Sequence, residues 1–275
     1  MTDRAADAPD ATGARIPRPP VGHGLLDGKI VVVTAAAGTG IGFATARRCV
    51  EEGATVVISD AHQRRLGDAA DTLAALPELA GERPLAVPCD VTLESDVQRL
   101  YDAATERHGR IDVAVNNAGL GGTVDLVDMT DEQWSAVLDV TLTGTFRCTR
   151  AALSRLYAQG LGGAIVNNAS VLGWRAQAGQ AHYAAAKAGV MALTRCSAVE
   201  AVAHGVRVNA VAPSLAVHPF LNRVMSDDDL DELARREVFG RGAEVWEVAN
   251  VITFLASDYA TFMTGEVVSV SSQHP

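Results

Sequence analysis

No apolar run in this 275-residue sequence approaches the roughly 18 residues that a membrane-spanning helix needs, so a membrane role is not expected. The first stretch, MTDRAADAPDATGARIPRPPVGHG, also lacks an apolar core. It carries acids and prolines, which argues against a secretory signal; residues 1–24 read as a disordered or surface-draped arm. Basic residues are in deficit, 23 Lys and Arg against 33 Asp and Glu, for a formal net charge of -10. A surface of that sign repels phosphate backbones, so nucleic acid is not an expected partner. Cysteine is sparse and scattered: Cys49, Cys89, Cys148 and Cys196 form no CxxC and no Cys/His spacing suited to a metal. Each lies in an apolar or helical stretch and is expected to be a buried free thiol, with the reducing cytoplasm as the expected compartment. Also missing are an internal repeat and any linker that would divide the chain.

What is present is a regular alternation from Asp27 onward. Short β-branched runs at Ile30–Thr34, Thr55–Ser59, Leu85–Pro88, Ile111–Val115, Ala164–Asn168, Val206–Ala210 and Glu266–Val270 are almost continuously apolar, as strands covered on both faces must be. Between them lie amphipathic stretches at Ile41–Glu52, Arg64–Leu76, Glu94–His108, Asp131–Gln159, Ala181–His204 and Glu244–Ala256. Strands alternating with helices predict an α/β fold: one doubly wound, seven-stranded parallel sheet of Rossmann type with helices on both faces, spanning residues 25–275. The rhythm breaks at residues 218–242, beyond the end of the sixth strand, where a substrate lid is expected, with a plain surface helical hairpin as the compatible alternative.

The first strand runs into Ala35-Ala36-Ala37-Gly38-Thr39-Gly40-Ile41-Gly42 and then a helix. Glycine lets backbone approach a pyrophosphate, and a helix N-terminus offers amides and a positive dipole end. Asp60 closes the second strand, eighteen residues after Gly42, where a carboxylate accepts ribose hydroxyls and repels a 2′-phosphate. The loop itself contains no Lys or Arg, so the expected cofactor is NAD rather than NADP. An N-cap role for Asp60 is the plainer alternative, and Arg64 and Arg65 stand near enough to lean toward a phosphate. Asp90 and Val91 end the third strand beside the adenine position, and Asn116-Asn117-Ala118-Gly119 ends the fourth.

Tyr183 and Lys187 are four apart on a helix and so share a face. The lysine charge is expected to lower the phenol's pKa, fitting the tyrosine to take a proton from an alcohol or return one to a carbonyl. Ser170 closes the fifth strand thirteen residues earlier, placed to bind the substrate oxygen, and Lys187 is also placed to hold the nicotinamide ribose.

The ordered set TxxxxxGIG, Asp60, Asp90-Val91, NNAG, Ser170 and YxxxK resembles the short-chain dehydrogenase/reductase family over roughly residues 25–275. The resemblance implies Ser170, Tyr183 and Lys187 as catalytic residues. It implies Ala36, Ala37, Gly38, Thr39, Gly40, Ile41, Asp60, Asp90, Val91, Asn117, Gly119 and Ala216 as cofactor contacts, together with Tyr183 and Lys187, and no metal. It also implies a homotetramer built on Asp131–Gln159 and Ala181–His204. Four departures stand out. The glycine loop is one residue longer than usual, with Ala36 in line with the family's first glycine. Thr141 replaces an asparagine that holds a proton-relay water and is carried over as a catalytic position. Pro213-Ser214 replaces a PG turn, with His218 where a threonine meets the nicotinamide carboxamide. Ser271-Ser272-Gln273 replaces a terminal DGG.

The runs NNASVLGWRAQ, HYAAAKAGVMALTRCSA and SVSSQHP are similar to an actinobacterial subgroup acting in steroid breakdown. That likeness implies oxidation of a ring hydroxyl on a hydrindane CoA thioester, a small-molecule substrate whose CoA portion Arg175 or His182 would meet unless they are plain surface neighbours. The alternatives are an NADPH-dependent 3-oxoacyl thioester reductase, against which Asp60 argues, and a dinucleotide sensor without chemistry, against which Tyr183 and Lys187 argue.

Overall fold

The structure, a computed structural model, describes residues 17–218 and 227–272. In chain order the elements are β1 (Ile30–Val33), α1 (Ile41–Glu51), β2 (Thr55–Asp60), α2 (Gln63–Ala74), β3 (Leu85–Pro88), α3 (Glu94–His108), β4 (Val113–Asn116) and α4 (Asp131–Leu138). There follow α5 (Gly144–Gln159), β5 (Gly163–Asn168), α6 (Ala181–Ala201), β6 (Val206–Pro213), β7 (Ala216–Val217), α7 (Asp227–Arg236), β8 (Ala243–Glu244), α8 (Val245–Ala256) and β9 (Val267–Val270).

Seven of the strands form one sheet in the order β3-β2-β1-β4-β5-β6-β9, every neighbouring pair parallel. Successive strand residues point to opposite faces, and the core divides accordingly. Val31 and Val33 pack with Leu66, Val248, Ile252 and Leu255 under α1, α2 and α8, while Val32 packs with Leu100, Tyr101, Leu156 and Val208 under α3, α5 and α6. Both faces are therefore covered, which is why the strands read as continuous apolar runs. The strand order reverses between β1 and β4, and the cleft outside their carboxyl ends is where such folds bind ligands.

The structure departs from the sequence reading in several places. The expected helix Asp131–Gln159 is interrupted by a π-helical turn at Asp139–Thr143, and the helix ending at His204 finishes in a 3-10 turn, Val202–His204. Beyond β6 lies a small parallel pair, β7 with β8, that no periodicity announced. Within the expected lid, residues 219–226 lie outside the described residues, and the acidic run opens α7. Cys49, Cys89 and Cys148 are buried, but Cys196 is exposed: α6 buries Thr194, Ser197 and Ala198 and turns position 196 outward. Ahead of β1, Arg48 donates to the carbonyls of Pro20 and Val21, and the buried Glu52 carboxylate accepts from the amides of His23 and Leu25. Residues 1–16 of the arm lie outside the described residues.

Candidate active site

The turn after β1 delivers the chain to α1 with little to fill the space above it. Gly38 has φ +94°, and no atom lies within 4 Å of a Cβ built at Gly38 or Gly40. Gly40 is the N-cap of α1 and supplies no side-chain cap, so the first-turn amides face outward unclaimed by a side chain. An open glycine cradle over an uncapped helix N-terminus fits a pyrophosphate. The demanding backbone position is Ala35, with φ 50°, one residue earlier than expected. Ala36 is buried and gives its amide to the Ser59 carbonyl at 2.9 Å. Thr34 anchors the turn: its hydroxyl accepts from the amides of Asn117 (3.0 Å) and Ala118 (3.3 Å). An alanine in the left-handed region costs about 1 kcal/mol, so the surrounding bonds must hold it there.

Asp60 stands at the end of β2. Its carboxylate accepts from the Ala37 amide at 3.4 Å and the His62 amide at 2.8 Å, and Arg65 lies 3.8 Å away. It is not the N-cap of α2; that position is His62. Asp90 is occupied by a turn of its own, accepting from the amide and hydroxyl of Thr92 at 2.9 and 2.7 Å. Val91 is buried beside Gly144, where a Cβ would come within 2.6 Å of its side chain. Ala216 is buried in β7, and His218, half-buried just beyond, has its pKa lowered by burial.

On the other side of the cleft, β5 ends at Asn168 and brings Ser170 to the first turns of α6, which carry Tyr183 and Lys187. The Ser170 side chain hydrogen-bonds the Tyr183 phenol, and its oxygen also accepts the Leu172 amide at 3.2 Å. Lys187 is buried; its Nζ donates to the Asn168 carbonyl at 2.6 Å and lies 5.5 Å from the centre of the Tyr183 ring. The expected lowering of the phenol's pKa is not what the cleft shows. Burial pushes Tyr183 up to about 12, with only the Ser170 bond opposing it, and pushes Lys187 down to about 8. Desolvation disfavours both charges.

The π turn places Thr141 fully buried against the segment after β4. Its hydroxyl accepts the Leu120 amide at 2.9 Å and donates to the Leu120 carbonyl at 3.1 Å, so it neither bonds back to its own helix nor keeps its proton free. A Cβ at Gly119 would lie 3.5 Å from Lys187 Nζ and 3.8 Å from Thr141 Oγ1, which puts the three side by side.

Two residues that organise this site escaped the sequence reading. Asn168 donates its side-chain amide to Asn117 Oδ1 at 2.8 Å, and Asn117 in turn donates to the Ala35 carbonyl at 3.2 Å, linking the Lys187 side to the glycine loop. On the opposite sheet face Asn116 donates to Asn167 Oδ1 at 2.8 Å, and Asn167 to Thr194 at 2.9 Å. The signal was in the sequence: β5 ends in Asn167-Asn168, β4 ends at Asn116 with Asn117 next, and Asn116 pairs with Asn167 in register. The other is Thr34, whose role depends on a contact 83 residues away.

A family model described as enoyl-(acyl carrier protein) reductase matches residues 35–272. The chain is 63% identical to a (5R,7aS)-5-hydroxy-7a-methyl-1-oxo-2,3,5,6,7,7a-hexahydro-1H-indene-carboxyl-CoA reductase of Mycobacterium tuberculosis, over 94% of this chain and 98% of that protein. It is 43% identical to a cis-4-hydroxycyclohexanecarboxylate dehydrogenase of Sinomonas cyclohexanicum, over 88% and 94%. The crystal structure of a short chain dehydrogenase from Mycobacterium smegmatis superposes with a TM-score of 0.83 at 59% identity, covering 94% of this chain and 98% of that one. No helix among the described residues is long and apolar enough to cross a membrane. With the parallel sheet, the glycine cradle and the Ser170, Tyr183 and Lys187 cluster, these matches show that the chain belongs to the short-chain dehydrogenase/reductase family and is an oxidoreductase acting on CH–OH groups.

Proposed function

We propose that the chain is an NAD(H)-dependent dehydrogenase of an alicyclic secondary alcohol, a ring hydroxyl of a steroid-derived CoA thioester. The observation that carries the reading is the convergence of Ser170, Tyr183 and Lys187 at the carboxyl end of β5, in a chain 63% identical to an indene-carboxyl-CoA reductase. The cyclohexane ring in the name of a second relative supports a ring-bearing substrate.

A nicotinamide bound in the cleft supplies the hydride acceptor or donor. Gly38, Gly40 and the α1 amides would hold its pyrophosphate, and Asp60 would take the adenosine ribose hydroxyls. Ser170 Oγ holds the substrate oxygen by hydrogen bonding. Tyr183 Oη takes the hydroxyl proton during oxidation and returns it to the carbonyl oxygen during reduction. Lys187, whose Nζ lies 5.5 Å from the centre of the Tyr183 ring, would stabilise negative charge on that oxygen. Asp60 favours NAD, because its carboxylate would stand against a 2′-phosphate; Arg65 beside it softens that repulsion without replacing the ribose contact. Three buried free thiols suit a reducing cytoplasm.

The test is a rate comparison with NAD and NADP across steroid-ring CoA thioesters and short 3-hydroxyacyl-CoAs. Faster turnover of the ring substrates with NAD is expected, and Tyr183→Phe should cut kcat by roughly 10²-fold or more while NADH still binds. A strong NADPH preference with 3-oxoacyl thioesters would instead mark a fatty-acid-type reductase, and full activity in Tyr183→Phe would remove the phenol from the mechanism.

A further inference from the structure

A chain of hydrogen bonds runs from Lys187 to the glycine loop, and its direction is fixed at both ends. Lys187 Nζ, which can only donate, takes the Asn168 backbone carbonyl at 2.6 Å. At the far end the Ala35 carbonyl can only accept, and Asn117 Nδ2 donates to it at 3.2 Å. That turns Asn117 Oδ1 toward Asn168, whose Nδ2 donates to it at 2.8 Å. Position 168 must therefore offer its neighbour a donor. Aspartate there would set oxygen against oxygen, and an apolar side chain would leave Asn117 Oδ1 without its partner.

The amide is kept at a cost. Asn168 Oδ1 is buried and has no partner among the described residues, a penalty that an apolar side chain would avoid. What the amide holds in return has no slack. Ala35 is in the left-handed region at φ 50°, and a Cβ at Gly42, the second residue of α1, would stand 2.1 Å from the Ala35 oxygen and 2.5 Å from Asn117 Nδ2. The Asn117 backbone amide is tied to the Thr34 hydroxyl at 3.0 Å, so its side chain starts from a fixed base. A shift of the Asn117 amide would press on the Ala35 turn and on the first turn of α1 together.

We propose that Asn168 is a positioning residue joining the two halves of the site: its carbonyl seats the Lys187 ammonium, and its side-chain amide, through Asn117, holds the Ala35 turn in shape for a pyrophosphate. One residue at the end of β5 thus serves both sides of the cleft, and loosening it is felt by a ligand that never reaches Lys187. The inference rests on the dinucleotide reading above and adds to it a residue that acts on the phosphate site through a neighbour.

ADP, which carries the adenosine and pyrophosphate but no nicotinamide, is the discriminating probe, titrated by calorimetry beside NADH. Asn168→Leu removes the donor and keeps the backbone carbonyl; it should weaken ADP and NADH by roughly tenfold each, and Asn168→Asp by more. Lys187→Met should weaken NADH alone. Asn117→Ala and the double variant Asn117→Ala with Asn168→Leu should bind ADP equally, because one link is cut in both. Thermal unfolding of every variant runs alongside, and Asn168→Ser gives the same comparison if the leucine variant does not fold. Wild-type ADP affinity in Asn168→Leu, with or without a lower Tm, or losses that multiply in the double variant, would overturn the proposal. A wild type that binds neither ADP nor NADH would remove the dinucleotide reading and this inference with it. The expected binding pattern in a protein that oxidises no ring alcohol would sink the proposed reaction and leave the role of Asn168 standing.

Discussion

Lys187 is a charge the fold holds at a cost. Burial pushes its ammonium from 10.5 down to about 8, so below about pH 8 the folded state bears the full penalty of keeping it protonated. Between about 8 and 10.5 the unfolded chain binds the proton and the folded one has released it, so stability rises with pH across that window. Lys187→Met should therefore be more stable than wild type near neutral pH, with a margin that shrinks as pH rises past 8; parallel thermal-unfolding curves would contradict this. Tyr183 works in the opposite sense, and stability lost through it appears as pH climbs from 10 toward 12. Thr141 is the second residue whose role can be separated from its shape. Thr141→Val keeps the volume but strips both bonds from Leu120, at about 1–3 kcal/mol for the stranded backbone groups. The expected signature is slower alcohol oxidation and proton transfer with NAD affinity nearly unchanged, read by steady-state kinetics beside NADH titration. A fall in NAD affinity instead would place Thr141 in the dinucleotide site.

At the scale of elements, α1 comes very close to the end of β1. A Cβ at Gly42 would stand 2.1 Å from the Ala35 carbonyl and 2.5 Å from the Asn117 amide, a collision with backbone that no rotamer relieves. Gly42→Ala should lower thermal stability by more than about 2 kcal/mol and abolish NADH binding together, measured by unfolding and fluorescence titration. This part of the architecture was legible beforehand because a strand–glycine loop–helix sequence is a local pattern. So were the parallel strands, whose two buried faces leave an unbroken apolar run. The π turn at Asp139–Thr143 was not, since one widened turn hardly disturbs a helical periodicity. Likeness to the family's glycine pattern puts the demanding position at Ala36 rather than Ala35, whereas Thr34 bonding to Asn117 and Ala118 fixes the turn from its other end. Asn168 went unread for the same reason: what it touches is decided by β4 lying beside β5, not by its neighbours in the chain.

At the scale of the whole molecule, α5 and α6, the helices on which the family resemblance places a homotetramer, carry apolar groups in the open. Phe146 on α5 is 41% exposed, and Val199 near the end of α6 is 76% exposed. A homotetramer is the expected state in solution; light scattering should give the mass of four chains, and Phe146→Asp combined with Val199→Asp should give a smaller species. A wild-type monomer would remove the expectation. The paired asparagines at the ends of β4 and β5 carry a consequence for how such a molecule comes into being. Each pair sits on its own sheet face, one reaching toward the glycine loop and the other toward α6. Slippage of β5 by one residue would send each asparagine to the wrong face and break both links at once. Dinucleotide affinity and catalytic power should thus be regained in refolding as one event, timed to the docking of two central strands, with no intermediate that binds but cannot react.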